Sequence, residues 1–372
     1  MRSNLNLGSL LGIPIGLNYS WFVTLAVITV FFGVQIYPLM LPDETRAVHW
    51  MLSVLTAVLA FVSVLLHELA HALAARRAGV PVQGVTLFIF GGIARLEADA
   101  RRPATEFFIA LVGPLTSFVL FGLFFGFWLA AGSPDTTGGI IWEWLWLINL
   151  AVGAINLAPA FPFDGARLLR SSIWGVSGSF QRASQITATL GQAIGYALIA
   201  AGVVSLLGPD FLPFELDSLD ELWLILIGLF LENSARSSYQ QVRMNEVLQT
   251  QNASDAMSRN FDLVSREATV DEALQSLGEK DNAFAFVTED SRVIGIVTAA
   301  AMKALPAAEL GGKTTSEVMV PAGDVQVVHS DELLAEVVQR MDAAKVDVMP
   351  VIEDGRLAGL VSREQITALI DK

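Results

Sequence analysis

Long runs without a charged residue dominate the first 235 residues and restrict the fold more than any other feature. Tyr19–Met40 contains no Asp, Glu, Lys or Arg, and Val48–Leu66 departs from an uncharged run only at His49. Phe107–Ala131 and Ala183–Leu207 are each 25 residues without a charge, and Trp144–Phe163 is another 20. A helix needs about 20 apolar residues to cross a hydrocarbon core, so each stretch predicts a transmembrane helix. Leu222–Leu231 adds 10 uncharged residues between Glu221 and Glu232; its length fits a span or an interfacial segment. The expected fold is a multi-pass helical membrane domain of about six spans, followed by a soluble α/β part. Nothing before the first span looks like a cleavable signal, since no small-residue cleavage site follows the single early arginine.

Charge supports the division. Only 16% of residues are charged, against roughly 25% in ordinary soluble domains. All five lysines lie beyond residue 236, and residues 1–235 and 236–372 carry net charges of −5 and −9. Neither half offers a basic footprint for nucleic acid. Arginines mark the inner side of a membrane protein. Arg76, Arg77, Arg95, Arg101 and Arg102 separate spans two and three, and Arg167, Arg170 and Arg182 separate spans four and five. The expected orientation has the N-terminus and these connections inside. If Leu222–Leu231 crosses, the soluble half is cytoplasmic. One inner connection, Val82–Leu96, is apolar, β-rich and glycine-punctuated. It is too short for a span, and non-helical backbone at membrane depth needs protein cover or a wet cavity, so a re-entrant hairpin is expected.

The chain has no cysteine and four histidines, His49, His67, His71 and His329. Disulfides, thiolate zinc sites, iron–sulfur clusters and a cysteine nucleophile are excluded. His67-Glu68-Leu69-Ala70-His71 stands at the inner end of span two. On a helix its two imidazoles share a face and can hold one zinc, with the glutamate in reach of water on the metal. Ionisable groups at membrane depth are costly and mark function. A catalytic zinc takes three protein ligands; with cysteine absent, the third should be a carboxylate on the inner side. Asp164 is the best placed, at the end of span four in Asn156-Leu-Ala-Pro159-Ala-Phe-Pro162-Phe-Asp164-Gly165, where two prolines break the helix. Glu97, Asp99 and Glu106 are rivals, more simply read as solvated loop charges.

HELAH together with NxxPxxPxDG, in this order and on these two spans, resembles the site-2 protease family of intramembrane zinc metalloproteases. The likeness covers most of residues 1–235 and extends to Phe90-Gly91-Gly92 and to Gly113-Pro114. It implies one zinc per chain held by His67, His71 and Asp164. Glu68 would activate the zinc-bound water, and Asn156 would contact the substrate. The Val85–Ile93 hairpin, with Phe90, Gly91 and Gly92, would take an unwound substrate segment by strand addition. Ser117 departs from the asparagine many members carry there; this weakens a substrate contact without touching the metal. The implied activity is cleavage of a transmembrane segment of a membrane-anchored substrate. By family analogy that substrate is a single-span protein, such as an anti-sigma factor or a signal-peptide remnant, in a prokaryotic plasma membrane. A CBS-gated transporter or channel with a structural zinc is the alternative.

Beyond a polar helical exit and linker at 236–253, the sequence repeats. Val293–Thr298 matches Leu357–Ser362 at an offset of 64, and Ser254–Met257 matches Ser316–Met319 at 62. The pair resembles tandem CBS domains, with expected extents 254–310 and 314–372. Such pairs regulate, dimerise, or bind adenine nucleotides between them. The family's ribose-binding aspartate is replaced by Ala301 and Gln365, while the hydroxyls Thr298 and Ser362 remain. Dimerisation or gating and ligand sensing both stay open. Phe284 and Phe286 read as core.

Overall fold

The computed structural model describes residues 4–89, 91–96, 100–131, 136–208, 218–259, 261–277, 284–289, 292–306, 310–321, 326–353 and 356–370. The chain divides into two compact units, Met1–Gln240 and Gln241–Lys372.

The first unit opens with strands β1 (Leu5–Leu10) and β2 (Ile13–Leu17). Then α1 (Ser20–Phe31), a π-helical turn (Phe32–Ile36) and α2 (Tyr37–Met40) form a single rod. Helix α3 (Arg46–Arg77) follows, with Thr45 accepting from the Val48 N–H at its start. Next come β3 (Val82–Phe88), β4 (Gly91–Leu96) and α4 (Pro103–Ala130), whose first position is a proline. A proline there gives up no intrahelical hydrogen bond. Helices α5 (Thr137–Asn156), α6 (Asp164–Ser177), α7 (Phe180–Leu207) and α8 (Ser218–Thr250) complete the unit, α8 running on into the second.

Among the described residues five helices are long and apolar enough to cross a membrane: Ser20–Met40, α3, α4, Gly138–Asn156 and α7. Helix α3 is the most enclosed of them. Its buried face is mostly small or polar, with Ser53, Thr56, Ala57, Ala60, Ser63, His67 and His71 beside Leu52, Phe61 and Leu69, while Met51, Val54, Leu55, Val58 and Val62 are exposed. Lipid tails are as apolar as leucine, so in a membrane close packing of small residues and hydrogen bonds replace the hydrophobic drive between helices. The segment Leu222–Leu231 lies within α8, which does not rank among the five.

The expected hairpin is present as antiparallel β3 and β4, with Phe88 opposite Gly91. It is part of something larger: β2 pairs in parallel with β3, and β1 closes the far edge antiparallel to β2, giving the order β1-β2-β3-β4. This sheet packs on the His67-bearing end of α3, where Ile13, Ile15 and Val85 bury against Leu69 and Ala72.

The second unit contains two halves of similar design. The first half holds β5 (Asp262–Ser265), α10 (Val270–Leu277), β6 (Phe284–Glu289), β7 (Arg292–Thr298) and α11 (Ala299–Lys303). The second holds β9 (Val328–His329), α13 (Leu334–Ala344), β10 (Val348–Glu353), β11 (Arg356–Ser362) and α14 (Arg363–Ile370). The leading segment of each half closes the other. Helix α9 (Ala253–Ala256) puts Ala253 and Ala256 into the second half's core, and Ser258 exchanges both backbone hydrogen bonds with Leu360 of β11. Helix α12 (Thr315–Val318) and β8 (Val320–Pro321) do the same for the first half, β8 pairing with β7. Phe286 is fully buried.

Candidate metal centre

Two neighbouring histidines and a distant aspartate meet near the C-terminal end of α3. His67 and His71 sit one turn apart on α3, and their Nε2 atoms are 3.2 Å from each other. Asp164 is the first residue of α6; seven residues separate it from Asn156, the last of α5, and both prolines fall in that gap. The turn brings Asp164 Oδ2 to 3.2 Å from His67 Nε2 and 2.9 Å from His71 Nε2. One ligand atom from each of the three lies within 4.8 Å of the others; both histidines are buried and Asp164 is largely so.

The imidazoles' outer nitrogens bear on what this cluster could hold. His71 Nδ1 is 2.7 Å from the Ile109 carbonyl oxygen, which can only accept, so Nδ1 carries the hydrogen. A neutral His71 therefore turns an Nε2 lone pair toward Asp164. His67 Nδ1 sits 2.9 Å from Ser117 Oγ, a hydroxyl that can accept from it, and the Nδ1–H tautomer leaves the His67 Nε2 lone pair facing the same point. With both imidazoles neutral and in that tautomer, two nitrogen lone pairs and a carboxylate oxygen face one another, an arrangement that a cation among them satisfies. N₂O donors of this kind suit zinc, and an outer hydrogen-bond partner on each imidazole is the usual support for a metal-bound histidine. Space is kept by Gly113: a Cβ there would fall 2.0 Å from His71 Nε2 and 2.7 Å from His67 Nε2.

Glu68 stands beside the cluster and outside it. Its Oε2 accepts from the Ala94 N–H of β4 at 3.1 Å, and Gly92 of the same strand makes room for its side chain. His67, Glu68, His71, Asn156 and Asp164 all line one cavity of roughly 690 Å³. Gly91, Gly92, Ile93 and Ala94 of β4 form one wall, so an edge strand of the sheet borders the site. Asn156 turns its amide nitrogen to the Val152 carbonyl at 2.9 Å, leaving its side-chain oxygen without an assigned role in that contact. Phe90 lies outside the described residues, as do Glu97 and Asp99.

Two expectations need correction. Glu106 is neither a ligand nor a solvated loop charge: it is 2% exposed in the first turn of α4 and paired with Arg170. Ser117 does bear on the metal centre, because its hydroxyl holds the outer nitrogen of His67. The sequence shows that these residues share a helical face, but not what that face meets. Glu106, Ile109, Gly113 and Ser117 recur at helical spacing along one face of α4, three of them conspicuous in an otherwise apolar helix. Arg167 and, from α8, Phe230 and Ser234 also line the cavity and were not anticipated. Arg167 Nη1 is 4.0 Å from Asp164 Oδ1, on the side away from the histidines.

Comparison with known proteins gives the family. The family model for peptidase family M50 matches residues 55–140 and 133–201, and that for the CBS domain matches 253–303 and 316–372. The protein sll0528 of Synechocystis sp. is 32% identical over 98% of this chain and 95% of its own length. Rip3 of Mycobacterium tuberculosis is 28% identical over 100% of this chain and 94% of its own. MJ0392 of Methanocaldococcus jannaschii is 26% identical over 98% of this chain and 96% of its own. All three bear the name zinc metalloprotease. The chain accordingly belongs to peptidase family M50, the site-2 proteases, as a membrane zinc metalloprotease with a tandem CBS pair.

Proposed function

We propose that the chain is an intramembrane endopeptidase that opens a peptide bond within a transmembrane segment of a membrane-anchored substrate. The observation carrying this is the convergence of His67, His71 and Asp164 in a cavity that also contains Glu68 and a sheet edge. Held by those three side chains, one zinc per chain would supply a Lewis acid that acidifies water and polarises a carbonyl. Glu68 takes the proton of the attacking water on its carboxylate and delivers it to the leaving amine nitrogen. A helical substrate hides its carbonyls in hydrogen bonds, so it must unwind. Strand β4 offers backbone partners to the unwound segment, and Asn156 lies across the cavity to contact it. A CBS-gated transporter with a structural zinc is the weaker reading, because a structural site has no use for Glu68. The test is the purified full chain with a single-span substrate. We expect about one zinc per chain, cleavage abolished by a chelator, and recovery on zinc return. Cleavage that survives complete metal removal would overturn the proposal.

We further propose that α8 supplies a sixth crossing, which places the CBS pair in the cytoplasm and the enzyme in a prokaryotic plasma membrane. The two acids that bound its apolar stretch are both engaged by α7. Ser205 donates to Glu221 at 2.8 Å and Tyr196 to Glu232 at 3.3 Å. Between them the helices touch backbone to backbone: a Cβ on Gly195 would lie 2.7 Å from the Gly228 oxygen. With Glu221 buried, Ser218–Ala235 reads as one segment of about 27 Å at 1.5 Å per residue, close to a bilayer core of about 30 Å. A reporter fused after Lys372 should read inside; a reading outside would remove the sixth crossing.

For the CBS pair we propose dimerisation or gating rather than nucleotide sensing. Thr298 Oγ1 accepts from the Ala301 N–H, Ser362 Oγ accepts from the Gln365 N–H, and Gln365 folds back onto the Ser362 N–H at 2.9 Å. Both hydroxyls and the glutamine are occupied as helix caps, and no carboxylate stands at either position for a ribose. Equilibrium dialysis of the full chain against ATP should show no saturable binding, while saturation at micromolar ATP would restore the sensing role.

A further inference from the structure

Glu106 and Arg170 form a second buried charged unit that the chemistry above does not use. Their exposures are 2% and 7%. Arg170 donates through Nε, at 2.9 Å, and through Nη2 to the same oxygen, Glu106 Oε1. Its guanidinium carbon also lies 5.4 Å from the ring centre of Phe161 and 4.8 Å from that of Phe180. Four pieces of chain therefore meet at one planar cation: the start of α4, the turn between α5 and α6, α6 itself and the start of α7. As a source of stability the pair is a poor choice, since apolar residues of equal volume serve as well or better. A positional reason is required.

The geometry points to Glu106 and Arg170 as positioning residues of the metal centre, an inference that rests on His67, His71 and Asp164 being the zinc ligands. One face of α4 carries Glu106, the Ile109 carbonyl that holds His71, Gly113 under both imidazoles, and Ser117 that holds His67. One helix, α6, carries Asp164 at its start and Arg170 six residues on, about 9 Å along the axis. The Glu106–Arg170 grip thus keys the helix bearing the aspartate to the helix that orients both histidines. It sets the roll and depth of α6 from a point outside the cavity. Phe161 extends the same grip to the turn that delivers Asp164. A lysine would keep the charge, but it has neither the planar fork nor the flat face that stacks on two rings.

The test uses the full chain, stripped of metal and titrated with Co²⁺ and Zn²⁺. The wild type and Asp164→Ala serve as the two references. The test variants are Arg170→Lys and the double variant Glu106→Met/Arg170→Met, which removes both charges while keeping apolar volume. Both should purify folded. Their Co²⁺ visible spectra should move toward that of Asp164→Ala, with metal affinity about 10–100-fold below wild type, the scale for an outer-sphere loss. A merely structural pair would leave the spectrum of a folded variant unchanged, so wild-type spectra and affinities in both overturn the inference. Failure of both to fold overturns it too, because the pair would then hold the fold and not the ligand. If Asp164→Ala itself matches wild type, the ligand assignment fails instead, and that outcome is distinct from the others.

Discussion

Glu68→Gln is expected to keep its zinc and lose its proteolysis. The side chain is not one of the three that converge on the metal, so the stoichiometry should stay at the wild-type level. Glutamine has the same shape, and its oxygen can still accept the Ala94 N–H that now meets Glu68 Oε2 at 3.1 Å. The cavity wall is therefore undisturbed. What the amide cannot do is take a proton. General-base assistance is worth about 10²–10⁴-fold, and here the same group must also protonate the departing amine, so cleavage should fall by at least that range. Metal analysis and a single-turnover assay on one preparation separate the two effects. Turnover near wild type would remove Glu68 from the mechanism.

Asp164→Ala is expected to empty the site. The change leaves two imidazoles without the carboxylate that both face, at 3.2 and 2.9 Å. It removes the only negative charge among the three donors and reduces the protein ligands below the three that a catalytic zinc takes. The loss of affinity should exceed the roughly 10–100-fold caused by losing an outer partner. After dialysis against a weak chelator the variant should hold almost no zinc while the wild type keeps about one per chain. Both should unfold at similar temperatures in the metal-free state, since the substitution makes no cavity of consequence. Retention of zinc at wild-type affinity would mean that another carboxylate supplies the third donor.

How far the site was legible depended on how local each relation is. His67 and His71 lie one turn apart on one helix, and their partnership follows from helical period alone. Asp164 could be singled out because Pro159 and Pro162 stop α5 before it. Ser117 could not, since its contact with His67 depends on the register of α4 against α3, which no spacing within either helix fixes. Glu106 was misread for a related reason: its partner Arg170 is 64 positions away. Helix α4 also begins at Pro103, four residues before the uncharged run that marked it. The strands β1 and β2 leave only a weak trace in the sequence. Ile13, Ile15 and Leu17 alternate after the turn at Gly12 and bury their side chains in β2, but a two-residue period is faint beside 25-residue apolar runs. In the second unit, repeat matching located the halves but not the trade of leading segments between them, which the offset alone does not encode.

That trade has a genetic corollary. A premature stop after α11 would not spare an intact first half, because β8 and α12, which close it, are encoded downstream. A deletion confined to the stretch around Ser254 would damage the far half rather than the near one. The two copies can duplicate, drift or be lost only as a single heritable block.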